Sequence, residues 1–392
     1  MWLVILNDST YTAQSVVRCT PGQSTNFENV TGGGGGDSVQ GNASANVLIG
    51  NGGLDYLRGN DGNDTIDGGS GNDDIFGGSD NDVLTGGLGS DDIDGGFGND
   101  TYNFSNPSSS SFVAPEVDTL TELPVGGIDR LWFGLVSSAV TINLTSGSPI
   151  ASHTNRTVNT ASPLEFENAT GGSNNDVITG NALANSLHGF AGNDVINGGD
   201  GADNLNGSLG NDTLNGGAGS DLLTGDVGND VIVGGTGGDT YYFASVGPAE
   251  ADTVTELAGG GIDTLHFKTL PATQAVIVEL TADVSLASHL NRVVNTGGPG
   301  QAANFENVLG GSGNDSITGN NSANLLVGYN GNDSVIGGSG NDILLGGSGN
   351  DGLVGGAGDD FLDGAAGTDT LDGGTDVDTC LDGGVADLNC EL

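Results

Sequence analysis

Positive charge is almost missing from this chain. Its 392 residues hold one lysine, Lys268, and five arginines against 51 acidic residues, a formal charge of −45 at pH 7. Phosphate contacts need Lys and Arg, so nucleic-acid binding is excluded, as is attachment to an anionic membrane through a basic patch. No apolar run approaches the roughly 18 residues of a spanning helix, which excludes membrane insertion by a helix. The opening Met1-Trp-Leu-Val-Ile-Leu-Asn7 is apolar for five residues, lacks a positive flank, and does not read as a cleavable secretion signal. Aromatic residues make up 5% of the chain and cysteines number three, whereas glycines number 75. That glycine share is about a fifth, against a usual share near 7%. Scattered through the sequence, so much Gly and acid would imply disorder, because too little apolar surface remains to offset chain entropy. Here both are periodic.

The short period is nine residues, of the form Gly-Gly-x-Gly-x-Asp-x-apolar-x. In a first array the sixth position is Asp37, Asn46, Asp55, Asp64, Asp73, Asp82, Asp91 and Asp100. A second array gives Asp176, Asn185, Asp194, Asp203, Asp212, Asp221, Asp230 and Asp239. The third runs Asp315, Asn324, Asp333, Asp342, Asp351, Asp360, Asp369, Asp378 and Asp387. The eighth position is apolar throughout, from Val39 to Leu371, and then breaks at Cys380 and Asn389. One aliphatic per nine residues cannot make a helix face; it suits a short strand after a Gly-rich turn.

A longer period of 139 residues repeats Phe27-Glu28-Asn29 as Phe166-Glu167-Asn168 and Phe305-Glu306-Asn307, the mark of internal duplication. It divides the chain into a partial inter-array segment (1–31), array 1 (32–104), a β-rich segment (105–170), array 2 (171–243), a second β-rich segment (244–309) and array 3 with a C-terminal cap (310–392). All nine prolines lie outside the arrays, and the segments between them alternate like strands, as in Val140-Thr-Ile-Asn-Leu144 and Val276-Ile-Val-Glu-Leu280.

Glycine at positions 1, 2 and 4 permits positive φ and a turn that exposes carbonyl oxygens, and the Asp at position 6 adds a short carboxylate. Such oxygen-only donors suit Ca²⁺. Positions 7 to 9 are expected to form a three-residue strand. Two nonads make one coil, coils stack at the strand spacing of a parallel sheet, and equivalent aspartates then stand 18 residues apart. Asp55, Asp73 and Asp91 are expected to line one edge; Asp64, Asp82 and Asp100 the other. Without cations these carboxylates repel, so calcium becomes a folding requirement. Counting Asp pairs at this spacing predicts about 16 Ca²⁺, with weak or empty sites at Asn46, Asn185 and Asn324. Asp118, Asp129, Asp252 and Asp263 are further candidates, though no nonad frames them.

With stretches such as Gly-Gly-Ser-Gly-Asn-Asp73 and Gly-Gly-Ser-Gly-Asn-Asp342, the chain resembles the repeats-in-toxin (hemolysin-type) calcium-binding proteins. The inter-array segments, with Asp-Thr-Val-Thr-Glu256 before Gly-Gly-Gly-Ile-Asp263, are similar to those of large surface proteins in that family. The resemblance implies an all-β, right-handed parallel β-roll or β-solenoid, secretion, and calcium-triggered folding outside the cell. It implies no single activity, because members include toxins, proteases, lipases, adhesins and surface-layer proteins.

Cys380 and Cys390, ten residues apart near the end, predict a disulfide stapling the last coil, with two free thiols as the alternative. Cys19 is left over. The contexts His153-Thr-Asn-Arg156 and His289-Leu-Asn-Arg292 match, so duplication explains those histidines. No Ser-His-Asp grouping, His-Glu-x-x-His or phosphate loop is present, and position 3 carries no outward threonine ladder for ice binding. The expectation is a non-enzymatic, extracellular, calcium-loaded surface protein, structural or adhesive. An unpaired strand edge at its start would let copies dock head to tail into filaments. The alternative is a secretion and folding module of a larger toxin or hydrolase.

Overall fold

The eighth-position side chains set the architecture. Leu48, Ile66, Leu84 and Tyr102 stack in one row, Val39, Leu57, Ile75 and Ile93 in another, all at most 2% exposed. Burying each aliphatic contributes roughly 1.5–3 kcal/mol, and one such residue per nonad is enough because the coil is thin. The computed structural model describes residues 29–105, 115–244 and 250–381 apart from 125, 126, 147, 259, 268, 283, 290, 291 and 297, together with Cys390 and the backbone of strands Leu3–Asn7, Gln14–Arg18 and Ala386–Leu388. Within it the chain is an all-β parallel solenoid. Its contacts divide into two units, Met1–Val195 and Ile196–Leu392.

In the first unit, alternate nonads pair in parallel and in register. Strand Tyr56–Asp61 pairs with Asp74–Ser79 (Leu57 opposite Ile75), and Thr65–Ser70 with Val83–Leu88 (Ile66 opposite Leu84). The second unit repeats this, with Leu205 opposite Leu223 and Leu344 opposite Leu362. These strands are six residues long, not three. Because coils stack in register, the turn backbone pairs as well: Gly69 faces Gly87, and Ser70 faces Leu88.

Glycine divides its work by position. Positions 2 and 4 take positive φ, as at Gly69 (+100°) and Gly71 (+145°). Position 1 does not, contrary to the sequence expectation. There glycine is needed for close approach: a Cβ on Gly68 would overlap Asp73 Oδ2 and stand 2.7 Å from the carbonyl of Gly86.

The inter-array segments extend the same ladders. In the first unit Glu116–Thr121 pairs in parallel with Asp92–Phe97 and with Arg156–Thr160, while Asp129–Trp132 joins Thr101–Asn103 to Phe166–Thr170. An antiparallel excursion, Val140–Asn143 with Ala151–His153 with Arg156–Thr160, thickens the coil. Aromatic residues fill the wider core: Phe104 stacks on Phe133 at 4.6 Å, and Tyr102 meets Phe166 edge-on at 5.5 Å. Phe243 with Phe267, and Tyr241 with Phe305, do the same in the second unit.

Two terminal expectations change. Strand Leu3–Asn7 pairs antiparallel with both Gln14–Arg18 and Gly35–Gln40, so one edge at the start is already occupied. At the other end Asp387 stands opposite Leu371, two positions short of the expected partner Asp369. Asn389, at the eighth position, offers no aliphatic to hold the 18-residue register. Cys380 takes the buried eighth-position place opposite Leu362 and is joined to Cys390, Cα–Cα 5.8 Å. Cys19 lies outside the described residues.

Candidate metal centre

The sixth-position aspartates form columns along the turns, and each carboxylate uses its two oxygens differently. One accepts a backbone N–H from the coil before it. Asp37, Asp55 and Asp73 donate in turn to Oδ1 of Asp55, Asp73 and Asp91 at 2.6, 2.8 and 2.9 Å. On the other edge Asn46, Asp64 and Asp82 donate to Asp64, Asp82 and Asp100 at 2.6, 2.7 and 2.8 Å. In the second unit Asp203 donates to Asp221 and Asp221 to Asp239; Asp212 donates to Asp230. Asp315, Asp333, Asp351 and Asp369 form a further column, and Asn324, Asp342, Asp360 and Asp378 its companion.

The second oxygen is the unusual one. Oδ2 of Asp55, Asp64, Asp73, Asp82, Asp91 and Asp100 is buried without a hydrogen-bond partner, as is Oδ2 of Asp221, Asp230, Asp239, Asp333, Asp342, Asp351, Asp360 and Asp369. A buried, unbonded carboxylate oxygen is costly unless a cation meets it. Beside each lies the glycine cradle of position 1. A Cβ on Gly59 would overlap Asp64 Oδ2 and approach the Gly77 carbonyl to 2.7 Å; one on Gly216 would overlap Asp221 Oδ2 and approach the Gly234 carbonyl to 2.6 Å. Carboxylate and carbonyl oxygens converging on one space, with no nitrogen or sulfur, are the donors of a hard cation such as Ca²⁺. The residues fit that ion.

Electrostatics agree. Burial pushes the Asp73 carboxyl up to about 7 and Asp82 up to about 8; each is opposed by one backbone N–H bond and reinforced by the carboxylates above and below. Burial likewise raises Asp64 and Asp239 to about 6. Each of these shifts favours the protonated carboxyl when no cation is bound.

The first turn of each array departs from this. Asp37, Asp176 and Asp315 have Oδ2 engaged by the N–H of Gly33, Gly172 and Gly311 in their own turn, at 2.6, 2.5 and 2.6 Å. Oδ1 of Asp176 and Asp315 accepts from Val140 and Val276. The neighbouring Asn46, Asn185 and Asn324 close on Asn42, Asn181 and Asn320 in the same way, each at 2.8 Å. These opening turns fold onto themselves and present no free carboxylate oxygen like that of the later turns. Asp194 accepts from Asp176 at 2.7 Å. The side chain of Asp387 lies outside the described residues.

Conversely, the columns run further than the nonads do. Asp91 donates to Asp118 (3.1 Å), Asp100 to Asp129 (2.8 Å), Asp230 to Asp252 (3.1 Å) and Asp239 to Asp263 (2.8 Å). Spacing alone hides them, because the intervals are 27, 29, 22 and 24 residues. The readable signal was Asp two residues before a buried apolar side chain, as in Asp118 with Leu120 and Asp263 with Leu265.

Two arginines enter these columns, and sequence reasoning gave them no role. Arg156 Nη1 lies 3.1 Å from Asp118 Oδ2 and Nη2 lies 2.5 Å from Glu116, while Nη2 also donates to the Gly87 carbonyl. Arg292 repeats this with Asp252 (3.3 Å), Glu250 (2.7 Å) and the Asp226 carbonyl. His153 and His289 pack edge-on against Phe133 and Phe267, and burial, followed by the nearby arginine, lowers each to about 4.

The family model described as RTX calcium-binding nonapeptide repeat (4 copies) matches residues 31–66, 67–102, 170–205, 206–241, 309–344, 318–353 and 345–380, more than half of the chain. No curated protein matches it.

Proposed function

The chain belongs to the RTX calcium-binding nonapeptide-repeat family, and from that premise we propose that it is an extracellular structural or adhesive surface protein whose solenoid folds as calcium fills the aspartate columns. The observation that carries the calcium part is the row of buried Oδ2 atoms, each beside the glycine of position 1 and, as at Gly59, Gly68, Gly77 and Gly216, beside a carbonyl from the next coil. Cations between coils would join carboxylates that otherwise repel, so folding and binding become one event. The 18-residue count puts the load at about 16 ions; the self-bonded opening turns subtract from it and the added aspartates Asp118, Asp129, Asp252 and Asp263 extend it. Extracellular placement follows the family's usual export and the far higher calcium outside cells.

A non-enzymatic role is supported by the threefold duplication, which multiplies one scaffold and not one reactive group. Head-to-tail assembly extends this reading. Among the described residues strand Asn29–Thr31 pairs only with Val47–Gly52, and it is the edge that would take a second copy, since Leu3–Asn7 covers the other. The alternative role, a folding module of a larger secreted toxin or hydrolase, shares the calcium chemistry and differs in having a catalytic domain encoded in the same reading frame.

Calcium titration of the chelator-treated chain, followed by circular dichroism, tests the central claim: β-structure should appear with calcium, and its failure to appear would refute it. Electron microscopy with calcium tests assembly, and single copies throughout would end that part.

A further inference from the structure

At the exit of each array one residue breaks the position-1 rule. The register of Asp92–Phe97 with Glu116–Thr121 sets Asp94 against Thr121, so Glu122 follows at the station of Gly95. Val233 against Thr255 brings Glu256 to the station of Gly234 in the same way. In the repeats this station is glycine and lends only a carbonyl. Here it lends a carboxylate, turned back into the cradle. Glu122 Oε1, Asp100 Oδ2 and the Tyr102 hydroxyl converge on the point where a Gly95 Cβ would stand, the latter two at 2.5 Å from it. Glu256, Asp239 and Tyr241 converge likewise at Gly234.

The next aspartate of the column completes the group. Carboxylate oxygens of Asp100, Glu122 and Asp129 lie within 4.8 Å of one another, as do those of Asp239, Glu256 and Asp263. The first three residues are 1%, 3% and 0% exposed. Oδ2 of Asp100, of Asp129 and of Asp239 has no hydrogen-bond partner. The tyrosine hydroxyl donates to the glutamate and accepts the Gly95 N–H at 2.8 Å, which fixes the glutamate's direction. Among the described residues no ion pair reaches either group.

We propose that Asp100, Glu122 and Asp129 form a calcium site of a second kind, and that Asp239, Glu256 and Asp263 form its copy. The proposal rests on the calcium reading above and adds to it two sites that nonad spacing does not contain. Three carboxylates in a nearly dry pocket cannot all stay ionised without a cation. Oxygen-only donors of uneven reach select Ca²⁺ over the more demanding Mg²⁺. Because a glutamate carboxylate replaces a glycine carbonyl, each site carries one more negative charge than those within the columns. Charge count raises calcium affinity, so these two sites fill first.

The test is equilibrium dialysis with radioactive calcium on the full chain carrying Glu122→Gln and Glu256→Gln together. Glutamine keeps the size and the acceptor for tyrosine and removes the charge. The expected result is two fewer ions per chain, one for each cluster, missing from the tightest class. An unchanged ion count overturns the proposal and leaves the glutamates as hydrogen-bond partners of tyrosine. Should the substituted chain not fold, terbium in place of calcium gives a second readout on Tyr102→Phe with Tyr241→Phe. Tyrosine-sensitised emission from the first ions bound should fall several-fold, and emission equal to that of the unsubstituted chain overturns the proposal. If the unsubstituted chain binds no calcium at all, the broader reading fails as well, and that result is distinct from either of these.

Discussion

At the end of the first array the two aspartate columns finish in opposite ways. The column of Asp55, Asp73 and Asp91 ends on Asp118, where the buried Arg156 guanidinium supplies a positive charge. The column of Asp64, Asp82 and Asp100 passes to Asp129, whose N–H donates to Glu167 Oε2 at 2.8 Å, and Glu122 stands beside Asp100 and Asp129, where the structure adds a further negative charge. The second unit repeats both endings, with Arg292 on Asp252 and Glu256 beside Asp263. In the first unit the difference shows in the carboxyls. Burial raises both Asp118 and Glu122, but Arg156 pulls Asp118 back to about 6, while Glu122, with Asp129 and Asp100 beside it, rises to about 8. One ending carries its own cation, and the other must obtain one from solution or take up protons.

The broadest way to sharpen this contrast is pH without metal. Asp73, Asp82 and Glu122 have folded-state values above their unfolded ones. The folded chain therefore binds more protons than the unfolded chain between roughly pH 4 and 8, and its stability falls as pH rises through that window. In chelator, β-structure measured by circular dichroism should be greatest near pH 4–5 and decline toward pH 8; with saturating calcium the decline should vanish. A metal-free signal that rises with pH would contradict the whole electrostatic account.

Next in size, Arg156→Ala should break the self-sufficient ending. It strands Glu116 and Asp118 in a buried setting, at a cost of about 3–5 kcal/mol. Hydrogen exchange at saturating calcium should show the loss concentrated in strands Asp92–Phe97 and Glu116–Thr121, with Arg156→Lys intermediate. Exchange no faster than in the unsubstituted chain would mean that the guanidinium is dispensable.

A smaller effect is expected within a column. Gly68→Ala pushes a methyl into the cradle between Asp73 and the Gly86 carbonyl, an overpacking of about 1–3 kcal/mol. It should raise the calcium concentration needed for folding. Gly298→Ala, with nothing within 4 Å of the new Cβ, is the control and should leave the titration midpoint in place. That control apart, the least change is expected from Gly352→Ala, also in open space and within strand Gly352–Ala357. Removing glycine's freedom in the unfolded chain should stabilise by about 0.5–1 kcal/mol, visible as slightly slower exchange in that strand.

Much of this was legible in the residues. An aliphatic every nine positions can be buried only if each coil contributes one layer to each of two sheets, and Ile66 opposite Leu84 is that arrangement. Alternate aspartates must then stack, as Asp55, Asp73 and Asp91 do. The endings were legible only in part: Asp118, Asp129, Asp252 and Asp263 stood out as candidates, but their places in the columns, and the partners Arg156 and Glu122, depend on where insertions re-enter the ladder. Asp118 reaches its column after 27 residues and Asp129 after 29, and Arg156 comes to Asp118 only through the strand pairing of Asp118 with Val158.

The sequence by itself determined the period, the sheet-forming face and the chemistry of the donors, since those are local properties of a nine-residue unit repeated in register. The tertiary structure decided which carboxylates are left wanting a cation. In the opening turns Asp176 and Asp315 are satisfied by their own Gly172 and Gly311 N–H groups and by strands from the preceding segment. Deeper in the arrays the same residue type in the same motif keeps a buried oxygen without a hydrogen bond. The physical reason is that a carboxylate's state is set by burial and by its neighbours in space, and in a solenoid those neighbours belong to other coils.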